Sequence, residues 1–88
     1  MPKTSRPPSP LRLVFGVNLR AARKEQNLTV FDVAQSCRVD WSYIHQIERG
    51  ERNVGIDIMD ALAQAVHRDV TELLSREEAQ AAPEAERA

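Results

Sequence analysis

The sequence is poor in the residue types that usually announce a site. Its 88 residues include one cysteine, two histidines, three glycines and only four Phe, Tyr or Trp. A lone cysteine, Cys37, excludes an internal disulfide and fits a reducing compartment. Cys37, His45 and His67 are too few and too badly spaced for structural zinc, so neither a metal nor a cofactor is expected. So few glycines, with no convincing alternation of apolar and polar residues, argue for an all-helical fold rather than a sheet. No apolar run approaches the ~18 residues a membrane-spanning helix needs. The longest, "LVFGV", follows Pro7, Pro8 and Pro10 and is too short for a signal-peptide core. The expectation is a cytoplasmic protein without a membrane partner. No phosphate loop, no pair of catalytic carboxylates and no triad-like Ser or Cys is present, so an enzyme is not expected.

What remains is a composition of 42% apolar and 28% charged residues, right for one small globular domain with a single core. The net charge of −1 argues at first sight against nucleic acid. Its distribution does not. Residues 1–55 hold nine Lys or Arg against five Asp or Glu, a balance of +4, whereas residues 56–88 hold three against eight, a balance of −5. A basic front and an acidic back either present one side to a polyanion or merely solvate both ends.

Residues 1–8, "MPKTSRPP", read as a disordered N-terminal arm, and residues 79–88 as a disordered or frayed acidic tail. The folded part then spans residues 9–78, and five helices can be read in it. Ser9-Pro10 opens a first helix, about 10–26, with Leu11, Phe15, Leu19 and Ala22 on one face and Asn27 as its stop. Thr29, with Asp32 three residues on, has capping-box spacing and starts a second helix with Val33, Ala34 and Cys37 inward. Asp40 caps a third, about 41–49, with Ile44 and Ile47 inward and Gly50 at its end. A fourth, about 56–67, places Ile56, Met59, Leu62, Ala63 and Val66 on one stripe. Asp69 with Glu72 opens a fifth, which carries Leu73 and Leu74.

The second and third helices are short, separated by a few residues, and hinge on the small Ala34. They must cross steeply, with Val33, Cys37, Val39, Ile44 and Ile47 wedging the elbow onto the first helix. That leaves the outer face of the third helix projecting, and a helix ~10–12 Å wide fits the major groove of B-DNA.

Residues 28–53, "LTVFDVAQSCRVDWSYIHQIERGERN", carry Leu28-Thr29 at the cap, Ala34, Val39, Ile44, the run Ile47-Glu48-Arg49-Gly50 and then Arg52-Asn53. In this the sequence resembles the Cro/C-repressor (XRE-type) helix-turn-helix family, over about residues 13–75, and Tyr43-Ile44 is similar to the controller proteins of restriction–modification systems. The resemblance implies a compact five-helix lambda-repressor-like domain and a sequence-specific transcriptional regulator, usually a homodimer on a near-palindromic site in double-stranded DNA. It implies a recognition helix at about 41–49, with Trp41, Ser42, Tyr43, His45 and Gln46 facing bases. Thr29 and Val30 would meet phosphate through backbone N–H groups, and Arg52 and Asn53 would meet the next phosphates. The chain departs from the family's pattern at Val30, where Gln is common, at Arg38 and His67, where Gly is frequent, and at Trp41, where a polar reader is common. An indole has one donor and no acceptor, so Trp41 cannot make a bidentate pair with guanine. It can touch thymine methyls, pack on the sugar-phosphate, or fold back onto the second helix.

Arg23 and Glu48 can face each other across the first and third helices, positions the family often pairs, and are read as a structural ion pair. On the fourth helix Ile58, Ala61 and Ala65 form a second apolar row. With Leu74 it is either a dimer interface or, at Ile58, a lone exposed apolar residue. No small-molecule ligand is evident. A competing function is a protein-interaction module, an antitoxin-like partner or adaptor that keeps the fold and uses Trp41 and Tyr43 as an aromatic docking patch.

Overall fold

The computed structural model of the protein describes residues 6–87 and is all-helical over them. The order is α1 (Leu11–Glu25), α2 (Val30–Cys37), α3 (Trp41–Glu48), α4 (Ile56–Ala65), α5 (Val70–Leu73), α6 (Arg76–Ala81) and α7 (Glu84–Arg87). Of the expected arm, residues 1–5 lie outside the described residues; 6–8 are exposed and outside any helix.

Local chemistry sets most boundaries. The Leu11 N–H donates to the Ser9 hydroxyl at 3.1 Å as α1 begins. Thr29 and Asp32 form a reciprocal capping box, Asp32 N–H to Thr29 Oγ1 at 3.0 Å and Thr29 N–H to Asp32 Oδ2 at 2.8 Å. Asp40 occupies the N-cap of α3, yet its carboxylate takes the Ser42 hydroxyl instead of a backbone N–H. Asn27, Arg38 and His67 all adopt left-handed backbone, with φ of 57°, 59° and 59°. Asn tolerates that region; Arg and His stand in it at a cost.

Leu19, Val33, Ile44, Ile47, Leu62, Val66 and Leu73 are the large fully buried side chains, so the core joins α1 to the α2–α3 elbow, α4 and α5. Ala34 is buried at the elbow. At Gly16 the backbones of α1 and α3 approach closely: a Cβ there would lie 2.6 Å from the Glu48 carbonyl oxygen. Buried Asn18 donates to the carbonyls of Leu73 and Ser75, at 3.0 and 2.9 Å, tying α1 to the end of α5. Cys37 is half-buried and donates to the Ala61 carbonyl at 3.4 Å, and burial pushes its thiol pKa up.

Three expectations need correction. The described residues form seven helices rather than five. Residues 79–87, read as a tail because they are acidic and alanine-rich, complete α6 and form α7, with Ala82 and Pro83 between them. Ser75 caps α6, Ala82 is buried, and buried Glu86 meets Lys24 of α1 at 2.9 Å with Arg20 at 3.7 Å. One acid that looked like solvated charge, Glu86, faces two cations on α1. Finally Ile56, placed on the inward stripe of α4, is 74% exposed, because the helix begins there, before its axis has reached the core. Ile58 and Ala65 of the second apolar row, and Leu74, are half-buried and pack in part against the core.

Candidate nucleic-acid interface

The α3 helix is anchored from one side only. Ile44 and Ile47 are buried to within 1% of full exclusion, and the opposite side carries the other residues. Trp41 and His45 are exposed there; Ser42, Tyr43 and Gln46 are half-exposed. The end of the helix is fixed by Glu48. Arg23 Nε donates to Glu48 Oε2 at 2.7 Å and Nη2 to Oε1 at 3.0 Å, while Nη1 reaches the Leu28 carbonyl at 2.9 Å. Both partners are buried, so one guanidinium locks α3 and the turn before α2 onto α1. Bidentate geometry of this kind restrains orientation as well as distance.

Around the outer face two side-chain groups organise the surface. The Trp41 indole lies against Phe31 of α2, ring centroids 5.5 Å apart and tilted by 38°, and His45 meets it edge-on at 5.4 Å. Trp41 thus leans on α2 and still shows 45% of its surface; Phe31 shows 64%. At the other end Arg52 Nε donates to Gln46 Oε1 at 2.6 Å, and the guanidinium lies 5.4 Å from the centre of the Tyr43 ring. A hydrogen bond to Oε1 leaves the Gln46 amide nitrogen, a double donor, as its free end. Arg52 also borders a cleft of about 460 Å³ floored by Phe15, Val54, Met59 and Leu74.

The start of α2 adds backbone donors. Thr29 satisfies the N–H of Asp32, and the N–H groups of Val30 and Phe31 precede any intrahelical acceptor. Val30 buries its side chain in the core, so only its N–H can face outward. Thr29, Arg52 and Asn53 are exposed. Arg49, also exposed, pairs with Glu51 at 2.9 Å. The residues proposed for dimer contact, Ile58, Ala61, Ala65 and Leu74, are all half-buried.

Sequence reasoning missed Phe31, which has no place on the inward Val33/Ala34/Cys37 stripe; that misfit was the available signal. It also missed Asn18, whose role depends on chain more than 50 residues away, and nothing local marks it. Among the described residues no group of three or more His, Cys, Asp or Glu could hold a metal, and no helix is long and apolar enough to cross a membrane.

Residues 14–75 match the family model described as a helix-turn-helix domain. The control protein C.SmaI of Serratia marcescens is 31% identical over 67 residues, 76% of this chain and 80% of that protein. The transcriptional regulator ClgR of Mycobacterium tuberculosis is 36% identical over 56 residues, 64% of this chain; the chain spans about half the length of that relative. Among solved structures, the restriction–modification controller protein C.AhdI of Aeromonas hydrophila superposes with a TM-score of 0.67 at 34% identity, over 70% of this chain and 94% of the other. The α2–α3 elbow therefore has known counterparts in transcriptional regulators and controller proteins, and the chain belongs to the helix-turn-helix domain family, of the Cro/C-repressor (XRE) type.

Proposed function

We propose that the protein is a sequence-specific DNA-binding transcriptional regulator, without enzymatic activity, acting in the cytoplasm as a homodimer on a near-palindromic operator. One observation carries the reading. In a chain of this family, the helix anchored by Ile44, Ile47 and Glu48 turns Trp41, Ser42, Tyr43, His45 and Gln46 outward as a single surface. The α3 helix enters the major groove, and the N–H groups of Val30 and Phe31 with Asn53 hold phosphates on either side, the Thr29 N–H being held by Asp32 within the capping box. Arg52 serves both jobs: its Nε buttresses Gln46 while its outer nitrogens meet phosphate. The dimer forms through α4 and α5 around Ile58, Ala61, Ala65 and Leu74 and sets the two recognition helices ~34 Å apart, one turn of DNA.

Selection of bound sites from random DNA, with the mass of the complex measured alongside, tests this. The expected result is a two-fold-symmetric site held by two copies, with affinity falling steeply with salt as counterions are released. Binding indifferent to both salt and sequence would remove the proposal.

A further inference from the structure

We infer that Phe31 and Trp41 together read the C5-methyl group of a pyrimidine in the major groove, so that the operator carries a methylated pyrimidine beneath the α2–α3 corner. The inference rests on the DNA-binding reading above. In a chain with four Phe, Tyr or Trp residues, two stand side by side on the surface, at 64% and 45% exposure, while the core is served by Phe15. A clustered exposed apolar surface marks something to be covered. Its position is specific. Phe31 follows Val30 on the first turn of α2 and Trp41 opens α3, so the ring pair bridges the two helix starts that face the duplex. The chemistry of the pair is also specific. A phenyl ring has no donor or acceptor and the indole has one donor, so the pair can offer a base edge one hydrogen bond at most and otherwise presents apolar surface. The one apolar group that a base edge presents in the major groove is the methyl on C5, found on thymine and on 5-methylcytosine. His45, edge-on to the indole at 5.4 Å, flanks the pair on its α3 side.

The test uses the wild-type chain and the enriched operator, synthesised with each thymine replaced in turn by deoxyuridine, which deletes only the methyl. At one or two positions per half-site affinity should fall about fourfold, the value of one buried methyl-sized group. Phe31→Ala and Trp41→Phe should shrink that thymine-to-uracil ratio towards one, while leaving the steep salt dependence in place. At the same position, 5-methylcytosine and cytosine should differ by a similar factor if the methyl alone is read; a preference confined to thymine would assign the reading to that base. If wild-type chain binds the operator tightly but no uracil substitution changes affinity, the inference is wrong and the regulator reading stands. If no specific DNA is enriched at all, the regulator reading fails instead. If Phe31→Ala releases a stoichiometric protein partner and leaves the uracil profile intact, the rings form a protein-docking patch and the inference is likewise wrong.

Discussion

The layer of α5–α7 against α1 and the corner of α2 and α3 are built differently. Where the α5–α7 layer packs on α1, side chains pair within the chain: Asn18 with two carbonyls, Arg68 with Glu25 at 2.6 Å, and Glu86 with Lys24 at 2.9 Å, although Glu86 Oε1 and the nearby Arg20 Nε form no hydrogen bond. At the α2–α3 corner, the side-chain contacts run along the surface between groups that also face outward, Arg52 with Gln46 and Trp41 with Phe31. The charge follows the same division, +4 over residues 1–55 and −5 over the remainder. A small domain has one core and cannot bury polar groups on every side. Here the rear pairs its charges across elements, whereas the front keeps rings and donors at the surface. The Arg23–Glu48 pair is the hinge between these regions, a buried ion pair that holds the front onto the rear.

Breaking that hinge should have the largest effect. Glu48→Ala leaves the Arg23 guanidinium buried without its partner, at a cost of about 3–5 kcal/mol. Chemical denaturation should show a large loss of stability, and DNA binding should fall because α3 is no longer held. Replacing both residues with well-fitting apolar side chains should recover much of the stability, since the penalty lies in the orphaned charge.

A change confined to the front should separate recognition from stability. Gln46→Ala should leave the melting temperature nearly unchanged and cost about 1–3 kcal/mol of discrimination at one base pair per half-site. Competition binding with single-base operator variants reads it. Arg52→Ala should do two things at once: reduce the salt slope by about one, and loosen the preference at the Gln46 position because the amide loses its buttress. Loss of the salt slope with an unaltered preference would show that the contact with Gln46 is incidental.

How much of this was legible beforehand follows the same division. Capping boxes are local chemistry, so Thr29–Asp32 and Asp69–Glu72 stood out in the sequence, and apolar spacing was enough to find Ile44 and Ile47. The α2–α3 elbow was readable because Ala34, Val39 and Ile44 obey a tight geometric demand. The rear was less so. Whether an acidic, alanine-rich stretch frays or docks depends on cations elsewhere in the chain, and Arg20 and Lys24 give no sign of their partner. Ile56 failed for a related reason: periodicity names a face but not the residue at which the face meets the core. Phe31 was overlooked because a residue that fits no inward stripe is easily dismissed as a stray apolar side chain.

The elbow also carries a removable cost. Arg38 sits at φ 59°, where glycine is free of the side-chain clash. Arg38→Gly should raise stability by about 1 kcal/mol in urea unfolding, and because Arg38 is an exposed cation beside α3, it should at the same time weaken binding to all DNA sequences alike. A gain in stability with no change in binding would place Arg38 outside the electrostatic reach of the duplex.

The smallest effect belongs to the rear. Asp69 accepts the N–H and hydroxyl of Thr71, at 3.0 and 2.8 Å, and these bonds hold its carboxyl below the ordinary aspartate range. A depressed folded-state pKa contributes stability that is present above the unfolded-state value and lost as pH falls through the folded one, so the window lies below about pH 4. Asp69→Asn keeps an acceptor at the cap but removes the charge. Thermal melts should place this variant slightly below wild type at pH 7, with the gap narrowing as pH falls below about 4. Its operator preference at neutral pH should equal that of wild type, because the cap of α5 and the face of α3 are coupled only through the core. A shifted base preference in Asp69→Asn would mean that rear and front are not separable, and that the layer satisfied within the chain also tunes the surface left open.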